Sequence, residues 1–221
     1  MLVECVSPTR YSPLMRLAAL YDIHGNLEAL EAVLADVRRA NVDRIVVGGD
    51  VMPGGDSAKA LRMLRGCDLR TDFIYGNGEV AVLAEHDHPG SARVPESVRP
   101  SLRAAAGDLG AEERRWLRTW PKTVSLDMPK FGRVLFCHAT PRDENELFLA
   151  EAPESELLPK LQGVTAQVIV CGHTHIPFDR KVGPYRVVNP GSVGLPFNAP
   201  GIYWALLADE IVLRRTDLHP T

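Results

Sequence analysis

Residues 168–175 constrain this chain more than any other segment, because they join a buried strand to a pair of histidines. The first four, Val-Ile-Val-Cys, form a continuous apolar run, which is typical of a strand buried on both faces. Gly172 then lets the backbone leave the sheet, and His173 and His175 follow at alternate positions. Imidazole is the commonest metal ligand among side chains. Two such histidines fit a surface turn equally well, so the interpretation depends on the rest of the chain.

Other apolar runs also end in residue types that bind metals. We predict strands at residues 15–21, 43–47, 72–75 and 133–137 from their apolar, strand-forming composition. The residues shortly after these runs are Asp22, His24, Asp50, Asn77 and His138. Asp and Asn often cap turns, which accounts for one or two of these positions. It does not account for the histidines, since four of the seven in the chain follow predicted strands.

Helical patterns separate the first three predicted strands. Apolar residues recur at helix spacing over 27–40, Asp56 is a suitable N-cap for a helix to about residue 65, and another helix is predicted over 79–86. Strands that alternate with helices predict a largely parallel sheet in this half of the chain. Ligands of such sheets bind beyond the carboxyl ends of the strands, so the polar residues there should share one rim.

The second half of the chain is richer in strands. We predict a hairpin from 123–128 and 133–137, a helix over 154–161, and further strands at 185–188, 202–207 and 211–215. Residues 86–110 contain many Pro, Gly, Ser and Arg residues, which favours an exposed excursion with one helical turn near Leu102. In the predicted helix 111–120, Trp116 and Trp120 face one way, and core packing explains them better than a binding platform. We expect a loose leader over 1–14 and a single domain over 15–221.

Composition and charge narrow the class of partner. The chain has 221 residues, is 45% hydrophobic and carries a net charge of −3, which gives no electrostatic case for nucleic acid or an anionic membrane. No apolar run approaches the roughly 20 residues of a membrane span, and the start lacks a secretory signal pattern, so we expect a cytoplasmic protein. No pair of cysteines is spaced as CxxC, and Cys137 and Cys171 are interpreted as core residues. Monomer and homo-oligomer both stay open.

The candidate ligands form a mixed set of imidazoles, carboxylates and an amide. Such a set suits divalent Mn, Fe, Zn or Ni. Seven ligands exceed what one tetrahedral ion needs, but they fit two ions that share a carboxylate. Two ions roughly 3.5–4 Å apart can promote an in-line displacement at phosphorus.

The ordered blocks resemble the calcineurin-like metallophosphoesterases. The blocks are Asp22-x-His24, Gly49-Asp50, Gly76-Asn77, His138 and Gly172-His173-x-His175. The segment 189–194, Asn-Pro-Gly-Ser-Val-Gly, is similar to a loop of the small single-domain phosphodiesterase branch found in bacteria and archaea. The resemblance implies an α/β fold, a four-layer α-β-β-α sandwich of two mixed sheets.

The resemblance also implies a division of labour among the ligands. Asp22, His24 and His175 would hold one ion, Asn77, His138 and His173 would hold the other, and Asp50 would bridge them. A hydroxide between the two ions would attack the phosphorus atom. Asn77 and His138 would also position the phosphate as catalytic residues.

Two departures from the family pattern bear on the substrate. Phosphoprotein phosphatases carry an Asp and an Arg where this chain has Pro53 and Gly54, so that activity is disfavoured. They also carry a general-acid histidine where this chain has Gly78, which would leave space for a second ester arm.

Three other residues are candidates for contact with the substrate. His86 and His88 lie at the far end of the predicted helix, over 10 Å from Asn77 at 1.5 Å per residue, so they do not replace the missing acid. Arg142 could contact a phosphate through its planar guanidinium, although a solvated surface role fits it equally well.

These observations predict a metal-dependent hydrolase of small phosphodiesters. The alternative is a catalytically weak, metallophosphoesterase-like binding scaffold, which the missing general acid would suit and the complete ligand set would not. A nuclease is disfavoured because no basic segment lined with aromatic residues is present.

Overall fold

The computed structural model describes residues 15–197 and 200–218, and the predicted leader over 1–14 lies outside these ranges. The strands are β1 (Leu17–Leu20), β2 (Arg44–Val47), β3 (Arg70–Phe73), β4 (Thr123–Met128), β5 (Gly132–Cys137), β6 (Val168–Val170), β7 (Phe178–Val182), β8 (Tyr185–Asn189), β9 (Ile202–Leu207) and β10 (Ile211–Thr216). The α-helices are α1 (Leu27–Arg39), α2 (Ser57–Arg65), α3 (Asn77–Asp87), α4 (Arg99–Asp108), α5 (Ala111–Leu117) and α6 (Glu154–Leu157). None of the helices within these ranges has the length and apolar character required to span a bilayer.

The strands form two mixed sheets of five. The first sheet has the order β10-β9-β1-β2-β3, in which β1, β2 and β3 are parallel and β9 runs antiparallel to both β1 and β10. The predicted parallel arrangement of the first three strands is therefore confirmed. The second sheet has the order β4-β5-β6-β8-β7, with parallel pairing of β5, β6 and β8 and an antiparallel strand at each edge.

The two sheets pack face to face between outer layers of helix. Side chains from both sheets, such as Leu17, Tyr21, Phe136 and Val170, share one buried cluster between them. A larger cluster joins the outer face of the first sheet to helices α1 to α5, and a smaller one joins the second sheet to α6 and the turn that follows it. The predicted four-layer sandwich is confirmed. Burying a large aliphatic side chain contributes roughly 1.5–3 kcal/mol, so these three clusters stabilise the layers.

Helix α1 shows how the sequence sets an element next to the site. Asn26 lies at its N-cap, where the side-chain oxygen accepts a hydrogen bond from the Ala29 backbone N–H at 3.1 Å. Leu30, Val33 and Val37 are buried on one face against the first sheet. This cap and this apolar face fix the chain immediately after Asp22 and His24.

The prediction for residues 86–110 was only partly correct, because most of residues 86–98 are exposed and a helix does lie at Leu102, but that helix is longer and more buried than predicted. A 3-10 turn over Glu96–Val98 leads into α4, which has ten residues and packs against α3. Leu102, Ala105 and Ala106 are buried in the cluster outside the first sheet. Their spacing is helical, but the many Pro, Gly and Arg residues around them obscured the pattern.

Other differences from the predicted elements are smaller. Strand β3 ends at Phe73, so residues 74–75 continue beyond it, and β7 was missed because it contains three charged residues. Asp56 occupies the N-cap position of α2 without a side-chain capping bond.

The core role of the tryptophans is confirmed, since Phe73 stacks on Trp120 with ring centroids 4.7 Å apart. Cys137 and Cys171 are buried and free, as predicted.

Candidate metal centre

The structure brings the candidate ligands together at the carboxyl ends of the strands. Asp22 and His24 follow β1, Asp50 follows β2, His138 follows β5, and His173 and His175 follow β6, while Asn77 begins α3. The ligand atoms of Asp22, His24 and His175 lie within 4.8 Å of one another, and so do those of Asp50, His138 and His173. The two groups match the division that the family resemblance implies.

The backbone at these positions is unusual. Five of the candidate ligands have φ between 47° and 66°, in the left-handed region that residues other than glycine rarely adopt. They are Asp22, His24, Asp50, His173 and His175. Backbone strain of this kind concentrates at functional sites. The five residues lie just beyond the ends of β1, β2 and β6, where the chain leaves the sheets.

In their neutral forms, His24 and His175 present nitrogen lone pairs to each other. The Nδ1 atom of His24 lies 3.0 Å from the Pro53 carbonyl, and that of His175 lies 2.6 Å from the Leu195 carbonyl. Since a carbonyl only accepts, each neutral imidazole carries its proton on Nδ1 and leaves Nε2 unprotonated. The two Nε2 atoms are nevertheless only 3.2 Å apart. A cation between them would turn this unfavourable contact into ligation.

Asp22 adds a buried oxygen without a hydrogen bond. Its Oδ2 accepts the His173 backbone N–H at 3.0 Å, whereas Oδ1 has no hydrogen-bond partner among the described residues. Oδ1 lies 3.4 Å from Nε2 of His175, but that nitrogen carries no proton when the imidazole is neutral. An unsatisfied buried carboxylate oxygen is costly, and metal coordination would satisfy it.

The second group is built around His138. Its Nδ1 lies 2.9 Å from the Gly48 carbonyl, so its Nε2 is free to bind a metal, and this Nε2 faces the Asn77 side-chain oxygen at 2.9 Å. The ring of His173 lies beside it, with centroids 5.2 Å apart. The His138 Nε2 also lies 3.4 Å from Oδ1 of Asp50.

Asp50, a member of the second group, also faces the first group. While its Oδ1 faces His138, its Oδ2 lies 3.8 Å from Nε2 of His24 in the first group. Its carboxylate therefore presents one oxygen to each group. This is the placement that a bridging ligand requires.

The charges of the site also suit cations. Burial alone would raise the pKa of Asp22, but the adjacent His175 and His138 lower it. Burial would lower the pKa of His175, yet the contact with Asp22 raises it, so a metal ion bound here would displace any proton on Nε2 and take its place beside Asp22. The pKa of His173 is lowered by burial and by the neighbouring His138, which favours the neutral imidazole that binds metals. The residues present therefore fit two divalent ions.

Glu79 supports the site, although the sequence analysis did not assign it a role there. It is fully buried, and its two oxygens accept hydrogen bonds at 2.7–3.3 Å from four backbone N–H groups, those of Asp50, Val51, Met52 and Gly76. Burial and the nearby Asp50 carboxylate raise the pKa of Glu79 to about 7. Its position three residues after Gly76, where a helix-capping glutamate is expected, was the available signal.

The loop after β8 holds the first ligand in place. Ser192 donates a hydrogen bond to the Asp22 carbonyl at 2.7 Å, and Gly194 N–H donates to the same carbonyl at 3.0 Å. Asn189 donates to the Gly172 carbonyl at 2.9 Å and to the Thr174 hydroxyl at 3.0 Å. These buried polar residues connect the loops that carry the histidines, and only the family-like motif marked them in the sequence.

A cleft of about 640 Å³ opens directly over the ligands. Its walls include the candidate ligands His24, Asp50, Asn77, His173 and His175, together with several apolar residues. Gly78 also lines it, and its N–H donates to Oδ1 of Asp50 at 2.7 Å. The space expected at Gly78 is absent, because an added Cβ would lie 1.8 Å from the Met52 carbonyl oxygen. Close approach of two backbone segments thus requires glycine here.

The remaining candidates lie away from the cleft. Arg142 is exposed, forms a bidentate ion pair with Glu146, and is not among the residues that line the cleft. His86 and His88 are exposed at the end of α3, as expected for surface residues.

Comparisons with known proteins agree with this geometry. A family model described as the calcineurin-like phosphoesterase superfamily domain matches residues 15–210. The phosphodiesterase YfcE of Escherichia coli strain K12 is 26% identical over 203 residues, which cover 90% of each chain. The crystal structure of hypothetical protein PH1004 from Pyrococcus horikoshii OT3 superposes with a TM-score of 0.79 at 19% identity, over 92% of this chain and 88% of that one. A metallophosphoesterase structure from Sphaerobacter thermophilus gives 0.69 at 22% identity, over 93% and 89%.

Proposed function

Since the chain belongs to the calcineurin-like phosphoesterase superfamily, we propose that it is a dinuclear metal-dependent phosphodiesterase acting on small phosphoesters. One observation carries the proposal. The Nε2 atoms of His24 and His175 face each other at 3.2 Å beside an unsatisfied oxygen of Asp22, an arrangement that a bound cation would stabilise. Asp50 would be shared between two such ions, identified only as divalent Mn, Fe, Zn or Ni.

The preference for diesters has two supports. The similar E. coli protein YfcE is named a phosphodiesterase. The residues that line the cleft also include no Lys or Arg within the part of the chain that the structure describes. A diester carries one negative charge fewer than a monoester dianion, so it depends less on cationic side chains around the phosphate.

In the proposed reaction, the ions and the protein's own groups have different roles. Bound ions supply Lewis acidity to the phosphoryl oxygens and activate a water molecule. Asn77 and His138 hold the rim of the second group and would position the phosphate above it, while Gly78 N–H keeps Asp50 oriented. The only titratable side chains lining the cleft, among described residues, are candidate ligands. The leaving oxygen would therefore take its proton from solvent, which favours acidic leaving groups.

The alternative, a binding scaffold with weak catalysis, uses the same fold without needing the ligands. A scaffold would gain nothing from left-handed backbone at five ligand positions, since each such residue costs on the order of 1–3 kcal/mol. The two functions differ in whether loaded protein turns over a diester.

Hydrolysis of bis(4-nitrophenyl) phosphate and 4-nitrophenyl phosphate by manganese-loaded protein tests the proposal. We expect a higher kcat/KM for the diester than for the monoester. His138→Gln should lower kcat by at least about 10²-fold, because one ion loses a ligand. His86→Gln, which changes an exposed histidine outside the cleft, is the matched control and should keep the parent rate. Absence of diester turnover with both ions bound would favour the scaffold.

A further inference from the structure

The cleft extends well beyond the candidate ligands, and its outer walls are apolar. Val94 and Val98 come from the segment that leads into α4, and Ala81 lies one turn along α3 from Asn77 of the second group. Leu195 is 54% exposed, and its backbone carbonyl contacts His175 of the first group. Apolar residues of the cleft therefore adjoin both groups of candidate ligands.

The size of the cleft exceeds the need of a phosphate group alone. Clefts of about 300–1,000 Å³ typically hold small organic ligands, and this one measures about 640 Å³. The half-buried valines and the exposed leucine leave apolar surface in contact with water. An apolar group placed between the walls would remove that surface from water.

The charge of the side chains that line the cleft disfavours a second phosphate group in this space. Within the described chain, no Lys or Arg lines the cleft, so a polyphosphate or a second phosphate placed beyond the ligands would meet no cationic side chain. Pro95 and Ser101 complete the outer wall and carry no charge. The lining suits an uncharged arm that packs through its faces.

We propose that the wall of Val94, Val98, Ala81 and Leu195 selects phosphodiesters with an uncharged apolar or aromatic ester arm. This inference rests on the proposed function and names the class of substrate for the same site. The phosphate lies over the ligands, and the arm packs between the α4 segment and Leu195. Because α4 belongs to residues 86–110, that segment acts as a specificity element.

Binding of two non-chromogenic diesters separates this inference from turnover. Diphenyl phosphate and dimethyl phosphate carry the same single charge and differ only in their arms, and their weakly acidic leaving groups favour slow turnover. Isothermal titration of manganese-loaded protein should give about tenfold tighter binding of diphenyl phosphate, as expected for a partly buried ring. Equal affinity for the two diesters would overturn the inference.

Substitutions in the cleft then test which residues cause the preference for diphenyl phosphate. Leu195→Ser should reduce it to within about threefold, because the leucine side chain forms one wall and its exposure makes the change tolerable to the fold. Val98→Asn provides a second test, because Val98 is only half-buried and the change replaces its apolar contact in the cleft with a polar amide of similar size. Leu147→Ser, at a leucine that is 51% exposed outside the cleft, is the matched control and should keep the parent preference.

The outcomes also distinguish this inference from the proposed function. Tighter binding of diphenyl phosphate that Leu195→Ser and Val98→Asn weaken would support the inference even if no diester were hydrolysed. Hydrolysis of diesters without a preference between the arms, or a preference that both variants retain, would overturn it.

Discussion

Individual side chains at this site are held in arrangements that are unfavourable without a cation. The Nε2 atoms of His24 and His175, which carry no proton in the neutral imidazoles, lie 3.2 Å apart, and a buried oxygen of Asp22 lacks a hydrogen bond among the described residues. Five ligand positions also have left-handed backbone. Contacts from distant loops stabilise this strained arrangement, for example the hydrogen bond that the Ser192 hydroxyl donates to the Asp22 carbonyl. The residues are thus preorganised for a cation.

Glu79 gives a test of this preorganisation. In Glu79→Gln, one side-chain oxygen becomes an NH₂ group that faces backbone N–H donors, so at least one buried donor loses its acceptor. We expect a loss of about 2–3 kcal/mol in the free energy of unfolding of metal-free protein, together with weaker metal binding because the Asp50 loop shifts. Thermal unfolding and elemental analysis measure the two effects.

Glu85→Gln is the control for that substitution. Glu85 is a buried glutamate on the same helix, and it accepts a single backbone hydrogen bond, from Gly90 N–H, that glutamine can also accept. Its variant should keep the metal content of the parent. If Glu79→Gln retained both the parent stability and its metal, the supporting role of Glu79 would be wrong.

The first turn of α3 is packed tightly against the site. Gly78→Ala would place a Cβ 1.8 Å from the Met52 carbonyl oxygen and 2.9 Å from Oδ1 of Asp50. We expect a loss of at least about 2 kcal/mol in the free energy of unfolding and a lower metal content.

Gly107→Ala makes the same chemical change where space is open. Gly107 lies within α4, and no atom would approach its added Cβ within 4 Å. This variant should gain about 0.5 kcal/mol, since alanine favours helix. Denaturant unfolding of both variants should give opposite signs, and equal changes would contradict the tight packing at α3.

Helix α5 is joined to α2 through Glu113. Its carboxylate accepts hydrogen bonds from Arg62 and from the Gly110 N–H, both at 2.6 Å, and the Arg62 bond lowers the pKa of Glu113 below its usual range. A lowered pKa in the folded state means that the charged form stabilises the fold above the unfolded-state pKa. That contribution is lost as the pH falls through the lower, folded-state value.

Glu113→Gln should therefore reduce the melting temperature by roughly 3 °C at neutral pH, with a smaller difference from the parent below about pH 4. Glu112→Gln, at the exposed neighbouring residue, provides the control and should change little at neutral pH. A difference for Glu113→Gln that stayed constant down to pH 3 would contradict the assigned ion pair.

For the whole molecule, the sequence was most informative where chemistry demands a residue type. The candidate ligands could be selected because each is a metal-binding residue close after an apolar run, and the structure brings all seven to one rim. The two-sheet sandwich followed from the family resemblance, and the parallel order of β1 to β3 followed from alternation of strands and helices.

The rest depended on contacts between residues distant in the chain. The left-handed backbone of Asp22 is fixed by Ser192 and Gly194, and local composition carries no sign of that. Helix α4 forms because Leu102 and its neighbours are buried against other helices, despite a local composition typical of loops. The close approach of Met52 to Gly78 is likewise a tertiary contact.

The metal content of the parent and three purified variants tests the central claim, that two ions share Asp50. Elemental analysis after loading should give about two ions per chain in the parent, about one in His175→Ala, and well below one in Asp50→Asn, because only the last removes a shared ligand. His86→Ala, at an exposed histidine, should match the parent. Equal metal content in the parent, His175→Ala and Asp50→Asn would contradict the claim.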